Sequence, residues 1–248
     1  MFDLSKKEKV YAIYGLLLGD GYIHPKYSNY MSCAHTNKQR EYVKFIAKFC
    51  QRNNIEHKTR FDYKKNTNYG VFEYSEVRVK IPNREQFVTK FNRMFDDNGK
   101  KIVSDFVLKR ISPIGLLFWF LDDGCLSVKK YENKCCRQAT LATQGFSLEG
   151  NVKIQKMFKD RFDINVKIHK DRVYYKIYFS ATEFRKFFDI VRPYLKHIPE
   201  DMKYKFNMQY EVNILNESSF LYNNYNLSTL QANGSGSARV PEMVCDIV

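Results

Sequence analysis

The sequence predicts an α+β fold made of two pseudo-symmetric α-β-β-α-β-β-α repeats. Three observations predict it. First, GLLLGDGYI (Gly15–Ile23) and GLLFWFLDDGCL (Gly115–Leu126) each drive an apolar run into an acid followed by glycine, with Asp20 and Asp123 offset by 103 residues. Second, the segments that follow recur in the same order in both halves. Third, the strand-like segments fall in short neighbouring pairs with period-two patterning, which favours antiparallel sheets.

The first half opens on a helix. Ser5 stands three residues before Glu8, a capping-box pattern, ahead of Val10, Ile13, Leu16 and Leu17. HTNK (His35–Lys38) then leads into YVKFIAKFCQRNNIEHK, an amphipathic helix, a break and the start of a strand. HKTRFDYKK puts Lys58, Arg60, Asp62 and Lys64 in alternation, and SEVRVKIP sets Val77, Val79 and Ile81 against Arg78 and Lys80. EQFVTKFNRMF predicts the closing helix of this half.

The second half repeats the order. Ser112 is the expected N-cap and Pro113 the first helical residue. ATQG (Ala142–Gly145) matches HTNK, and NVKIQKMFKDRFDINVK matches the amphipathic helix, break and strand. NVKIHKDRVYYKIYFS sets Lys167, His169, Lys176 and Tyr178 opposite Val166, Ile168, Tyr175 and Ile177. TEFRKFFDIVRPYL is the last helix. The expected organisation is a first half over 1–99, a linker over 100–110, a second half over 111–227, and a flexible Gly/Ser-rich tail over 228–248.

Composition narrows the function. The 248 residues are 44% hydrophobic and 16% aromatic, enough for a sizeable core and too apolar for global disorder. Most Tyr and Phe therefore read as core. Lys and Arg number 41 against 27 Asp and Glu, and the net charge of +14 points to a polyanion, nucleic acid before membrane. The longest apolar run, Ile114–Leu121, is far short of a membrane span. MFDLSKKEKV lacks a signal-peptide core, and six cysteines without a CxxC pair read as reduced thiols. An intracellular protein of a bacterium, a phage or an organelle is expected. No HExxH-type pair supports zinc catalysis.

A carboxylate at a helix C-terminus faces the negative end of the dipole. Two such helices packed together would also bring two acids side by side. One Asp-Gly is an ordinary helix stop, but two at matched places call for compensation. A divalent cation supplies it: carboxylate oxygens suit Mg²⁺, with Mn²⁺ or Ca²⁺ able to substitute in binding. Asp20 and Asp123 are the candidate metal ligands, joined by the backbone carbonyls of Gly19 and Asp122. Gly15 and Gly19 form a small-residue face that allows close helix approach.

IYGLLLGDG (Ile13–Gly21) and LLFWFLDDG (Leu116–Gly124) resemble the two motifs of single-chain LAGLIDADG homing endonucleases. The resemblance covers about Tyr11 to Phe206. In the second motif Phe118 and Asp122 stand where small residues are usual, so an asymmetric helix contact is expected. The resemblance implies a saddle of antiparallel sheets lying in the DNA major groove, with the motif helices packed at its centre. It also implies that Asp20 and Asp123 hold Mg²⁺ and cut one strand each of a long site, leaving short 3′ overhangs. One lysine per half is expected beside the acids: Lys101, with Lys100 as rival, and Lys205, with Lys203 as rival. Asn37 and Gln144 match polar positions near the cleavage centre, with helix capping as their alternative role.

DNA reading then falls to the sheets, where Lys58, Arg60, Lys64, Arg78, Lys80, Lys167, His169, Lys176 and Tyr178 are the candidate contacts. The expected protein is a monomeric, Mg²⁺-dependent double-strand DNA endonuclease. Two alternatives share the scaffold: an RNA maturase acting on an intron, and a DNA-binding protein that does not cut.

Overall fold

The computed structural model describes residues 4–23, 29–81, 101–131 and 134–206, all within one compact unit, Met1–Phe206. The helix predicted over 85–95, Lys100 and the tail over 228–248 lie outside the described residues.

Chain order gives α1 (Lys6–Leu18), β1 (Tyr22–Ile23), β2 (Tyr30–Thr36), α2 (Arg40–Arg52), β3 (His57–Thr67) and β4 (Gly70–Lys80). There follow α3 (Asp105–Leu108), α4 (Pro113–Asp123), β5 (Gly124–Tyr131), β6 (Lys134–Leu141), α5 (Leu148–Phe162), β7 (Lys167–Asp171), β8 (Tyr174–Phe179) and α6 (Ala181–Leu195). Short 3₁₀ turns cover Asn37–Gln39 and Glu200–Lys205. Two four-stranded antiparallel sheets have the same order, β1-β2-β4-β3 and β5-β6-β8-β7. The duplication read from the sequence is thus a duplication of topology. The stretch expected as a linker contains α3, with Val107 and Leu108 buried.

Serines start the helices. Glu8 N donates to Ser5 Oγ while Glu8 Oε2 accepts from Ser5 N, closing the predicted capping box. Ser112, Ser147 and Ser180 accept from the backbone N–H three residues on. The helices end unequally: α1 stops at Leu18 with Gly19 as its C-cap, placing Asp20 just beyond, whereas α4 runs through Asp123.

Residues 12–18 of α1 and 114–121 of α4 are buried, and the two backbones touch. A Cβ on Gly15 would lie 1.9 Å from Gly115 O, and one on Gly115 would lie 2.6 Å from Tyr11 O. A Cβ on Gly19 would lie 2.3 Å from Asp122 Oδ2. No side chain fits there, so glycine is required for space. Close packing survives the bulky Phe118 because its ring points away from the seam. It packs 5.8 Å from Phe45 and 5.1 Å from Phe49 of α2, centroid to centroid, while Trp119 stacks on Phe158 and Phe120 packs against Phe187 in the second half. One helix therefore supplies core to both halves. Among the described residues no helix is long and apolar enough to cross a membrane.

The sheet register corrects one strand reading. β3 pairs Arg60 with Glu76 but Tyr63 with Tyr74, so an extra residue sits between them, and Asp62 there has φ 55°. Alternation flips at this bulge. Lys64, opposite Glu73, moves to the face of Val77 and Val79, and Lys65 takes its place beside Arg60 and Arg78. Period-two reading assumed an unbroken ladder.

The helix seam yields a stability prediction. Gly15→Ala places a methyl inside the opposing backbone, and we expect a loss of about 3 kcal/mol or more. Calorimetry should show it as a melting-temperature drop of roughly 2–4 °C per kcal/mol. Gly145→Ala, with nothing within 4 Å of the added Cβ, is the matched control and should stay within about 0.5 kcal/mol.

Candidate active site

The C-termini of α1 and α4 bring three carboxylates together. Asp122 occupies the place of Gly19 in the repeat and uses its acid across the seam. Asp20 N donates to Asp122 Oδ2 at 3.0 Å, and Tyr42 Oη donates to Asp122 Oδ1 at 2.7 Å. Asp123 accepts from its own Trp119 Nε1 at 3.2 Å. Asp20 is the open member, with a side chain 51% exposed and an oxygen 3.6 Å from His35 Nδ1.

Two lysines complete the pattern in parallel. Lys101 Nζ donates to Gly19 O (2.7 Å) and Gly21 O (3.1 Å), the carbonyls flanking Asp20. Lys205 Nζ donates to Asp122 O and Gly124 O, both at 2.9 Å, the carbonyls flanking Asp123. Each ammonium spends two of its three donors on carbonyls at or just beyond a helix end, where the dipole favours a cation. Lys205 is preferred over its rival because Lys203 pairs outward with Glu200 at 2.5 Å. The carbonyls of Gly19 and Asp122 were expected among the metal ligands. Here they accept from ammonium groups, and a metal seated on either would adjoin a like charge.

Burial sets the electrostatics. It pushes the Asp123 acid up to about 7, with Asp20 adding repulsion and Lys101 and Lys205 opposing. Asp122 is held well above the usual carboxylate range by burial, then by the Asp20 charge, against the donors from Tyr42 and Asp20. Lys101 and Lys205 are lowered by desolvation, opposed by the acids around them. The centre is thus short of positive charge, and an oxygen-liganded divalent cation suits its donor set.

Asn37 and Gln144 hold equivalent places at the rim. Asn37 Nδ2 donates to Asp62 Oδ1 at 3.0 Å and to Glu73 Oε2, while its Oδ1 accepts from Ser75 Oγ. Gln144 Nε2 donates to Asp171 Oδ2 at 3.3 Å. Neither caps a helix, which corrects that reading: Gln39 and Ser147 hold the N-cap positions of α2 and α5.

The sequence reading missed His35, Tyr42 and the side-chain role of Asp122. His35 had a signal. Met31, Cys33 and His35 alternate onto the helix-facing side of β2, and a histidine at a core position needs a polar partner inside.

The sheet faces carry the other candidates. Lys58 is opposite Arg78, and Arg60 opposite Glu76; in the second sheet Lys167 is opposite Tyr178 and His169 opposite Lys176. Carboxylates hold several of these cations in place. Arg78 donates to Glu76 at 3.0 Å, Lys80 to Glu56, and Lys176 to Asp171 at 3.1 Å. The His169 ring stacks 4.2 Å from Tyr178.

The family model of the LAGLIDADG DNA endonucleases matches residues 10–187, both halves of this arrangement. The chain belongs to that family. It is 30% identical over 198 residues to probable intron-encoded endonuclease 1 of Wickerhamomyces canadensis, covering 77% of this chain and 80% of that protein. It is 25% identical over 213 residues to cytochrome b mRNA maturase bI2 of Debaryomyces hansenii, covering 80% and 73%. In structure it resembles the homing endonuclease I-WcaI bound to its DNA recognition sequence. The TM-score is 0.62 at 23% identity, over 82% of this chain and 88% of that one. As a LAGLIDADG protein the chain is a single-chain, two-repeat form, and its two sheets are those of the family's saddle fold.

The acid held near 7 gives a pH prediction. The native Asp123 binds a proton up to about 7, whereas its ordinary value is 3.8. The native state therefore binds more protons between these values, and its contribution to stability falls as pH rises through that window. Asp123→Asn removes the titration. In metal-free buffer its melting temperature should match the parent near pH 4 and exceed it by several degrees at pH 8. A constant difference across that range would contradict the assignment.

Proposed function

We propose that the protein is a site-specific endonuclease that hydrolyses both strands of a long DNA duplex with a divalent metal and leaves short 3′ overhangs. The observation that carries this reading is the repeated half-site: an acid flanked by two carbonyls, both clamped by one lysine, once per half. Nucleic-acid binding alone does not call for acids at a phosphate-facing surface.

Asp20 and Asp123 would hold Mg²⁺, and Asp122 lies behind them, tied to the Asp20 amide and the Tyr42 hydroxyl. When bound, the metal activates water and neutralises charge on the phosphate. Lys101 and Lys205 face the same phosphates with desolvated ammonium groups and stabilise the negative charge that develops in the transition state. Their anchoring to carbonyls fixes them before substrate arrives, so little reorganisation is needed. Asn37 and Gln144, held by Asp62 and Asp171, would orient water at the rim of each half-site. With one acid and one lysine per half, each half would cut one strand, and a monomer could then cut both.

The sheets supply recognition. Lys58, Arg60, Lys65, Arg78 and Lys80 in the first half, and Lys167, His169, Lys176 and Tyr178 in the second, would meet base edges and phosphates. A second reading, an intron RNA partner, is favoured by one observation, the similarity to a protein named an mRNA maturase.

Cleavage of a cognate duplex, selected from a randomised library, should proceed in Mg²⁺ and stop in EDTA. Asp20→Asn or Asp123→Asn should abolish cutting and keep DNA affinity; full cleavage by the double variant would sink the assignment. Lys101→Met and Lys205→Met should each slow cleavage by about 10²–10³-fold with binding retained. Replacing Arg78 and Lys80 by Ala should weaken cognate binding by about 1–3 kcal/mol. In the same titration Lys65→Ala should cost more than Lys64→Ala.

A further inference from the structure

The second half has Ala142 where the first has His35, and this difference breaks the symmetry of the site. His35 is 5% exposed and faces the helices from β2. Its Nδ1 lies 3.0 Å from Gln39 Oε1, so that nitrogen carries the proton and donates. Its Nε2 is buried without a hydrogen-bond partner and lies 4.0 Å from Asp122 Oδ1. A bare imidazole lone pair opposite a buried carboxylate oxygen is unfavourable unless something positive sits between them. One ligand atom each from Asp20, His35 and Asp122 lies within 4.8 Å of the others.

We propose that His35, Asp122 and Asp20 form a transition-metal site, best suited to Zn²⁺, whose filling draws Asp20 away from the cleavage centre and inhibits the enzyme. The inhibitory part rests on the nuclease reading; the ion site does not. Nitrogen and carboxylate ligands take Zn²⁺ at about 2.0–2.2 Å, so these atoms must draw inward onto the ion, a movement open to the exposed Asp20 side chain. One nitrogen among the ligands favours Zn²⁺ or Co²⁺ over Mg²⁺, which prefers an all-oxygen shell. Supporting contacts are already present. Gln39 accepts from the far ring nitrogen and fixes the tautomer, and Tyr42 Oη orients the Asp122 carboxylate. Both carboxylate oxygens of Asp122 already accept one hydrogen bond, and each retains a second lone pair. Because Ala142 has no ligand atom, the second half lacks such a site, and the expected stoichiometry is one ion per chain.

The test uses the full chain without DNA, in excess Mg²⁺. Zn²⁺ is titrated against a chromophoric chelator, and Co²⁺ is followed by visible absorption. One tight equivalent and a d–d band without thiolate character are expected. His35→Ala and His35→Gln should each weaken binding about tenfold or more. Cys33→Ser, which alters the buried thiol on the same face of β2, should not. Absence of a tight equivalent, a sulfur-to-cobalt charge-transfer band, or wild-type affinity in both His35 variants would overturn the site. In cleavage assays Zn²⁺ should suppress Mg²⁺-supported cutting by the parent, and any cutting by His35→Ala should be insensitive to it. Ion binding at His35 without such suppression would overturn the inhibitory role. Failure to cut in Mg²⁺ alone would strike the nuclease reading and leave the ion-binding result standing.

Discussion

Backbone contact between α1 and α4, glycine on glycine, is the constraint on which the rest of the molecule depends. A methyl at Gly15 would lie inside the Gly115 carbonyl. The closeness places both helix ends on one seam, brings Asp20 and Asp122 within one hydrogen bond, and lets lysines from the ends of both halves reach the carbonyls beside the acids. It also allows α4 to serve two cores. Phe118 enters the first half, Trp119 and Phe120 the second, so the halves share a core rather than merely touch.

Crowded acids make that seam electrostatically costly. Three carboxylates, two of them buried, meet two desolvated lysines, and burial works against every one of these buried charges. The lysines gain from helix-end carbonyls, and the acids gain from Tyr42, Trp119 and the Asp20 amide. Burial and repulsion from Asp20 raise both buried acids, and a cation bound among them would offset that strain. The two halves do not share the strain equally. Asp122 stands opposite Gly19, and His35 opposite Ala142, so the acid and lysine repeat in both halves while the side chains behind them do not.

Away from the seam, the sheets keep their basic residues ordered by pairing them with carboxylates on the same face. Arg78 rests on Glu76, Lys80 on Glu56, and Lys176 on Asp171. Such pairs add little stability at a surface. They do restrict long side chains to a few orientations, which lowers the entropy lost when a polyanion binds. Asp171 also fixes Gln144, tying the rim of the site to the neighbouring sheet face.

Legible in the sequence alone were the duplication, the helix starts at Ser5 and Ser112, the antiparallel strand pairs, and the placing of Asp20 and Asp123 at the ends of the two motif helices. These are local properties: caps, periodicity and repeated order are set by near neighbours along the chain. It also ranked Lys101 and Lys205 among their rivals, through family resemblance rather than chemistry. Tertiary structure decided what depends on partners far apart in sequence. The bulge at Asp62 exchanged Lys64 for Lys65, because strand register is a property of two strands. The Gly19 and Asp122 carbonyls went to lysines, because a helix end accepts whichever cation the fold brings to it. His35 became part of the centre because β2 turns one face toward two helices, and its partners Asp20 and Asp122 meet only when those helices pack.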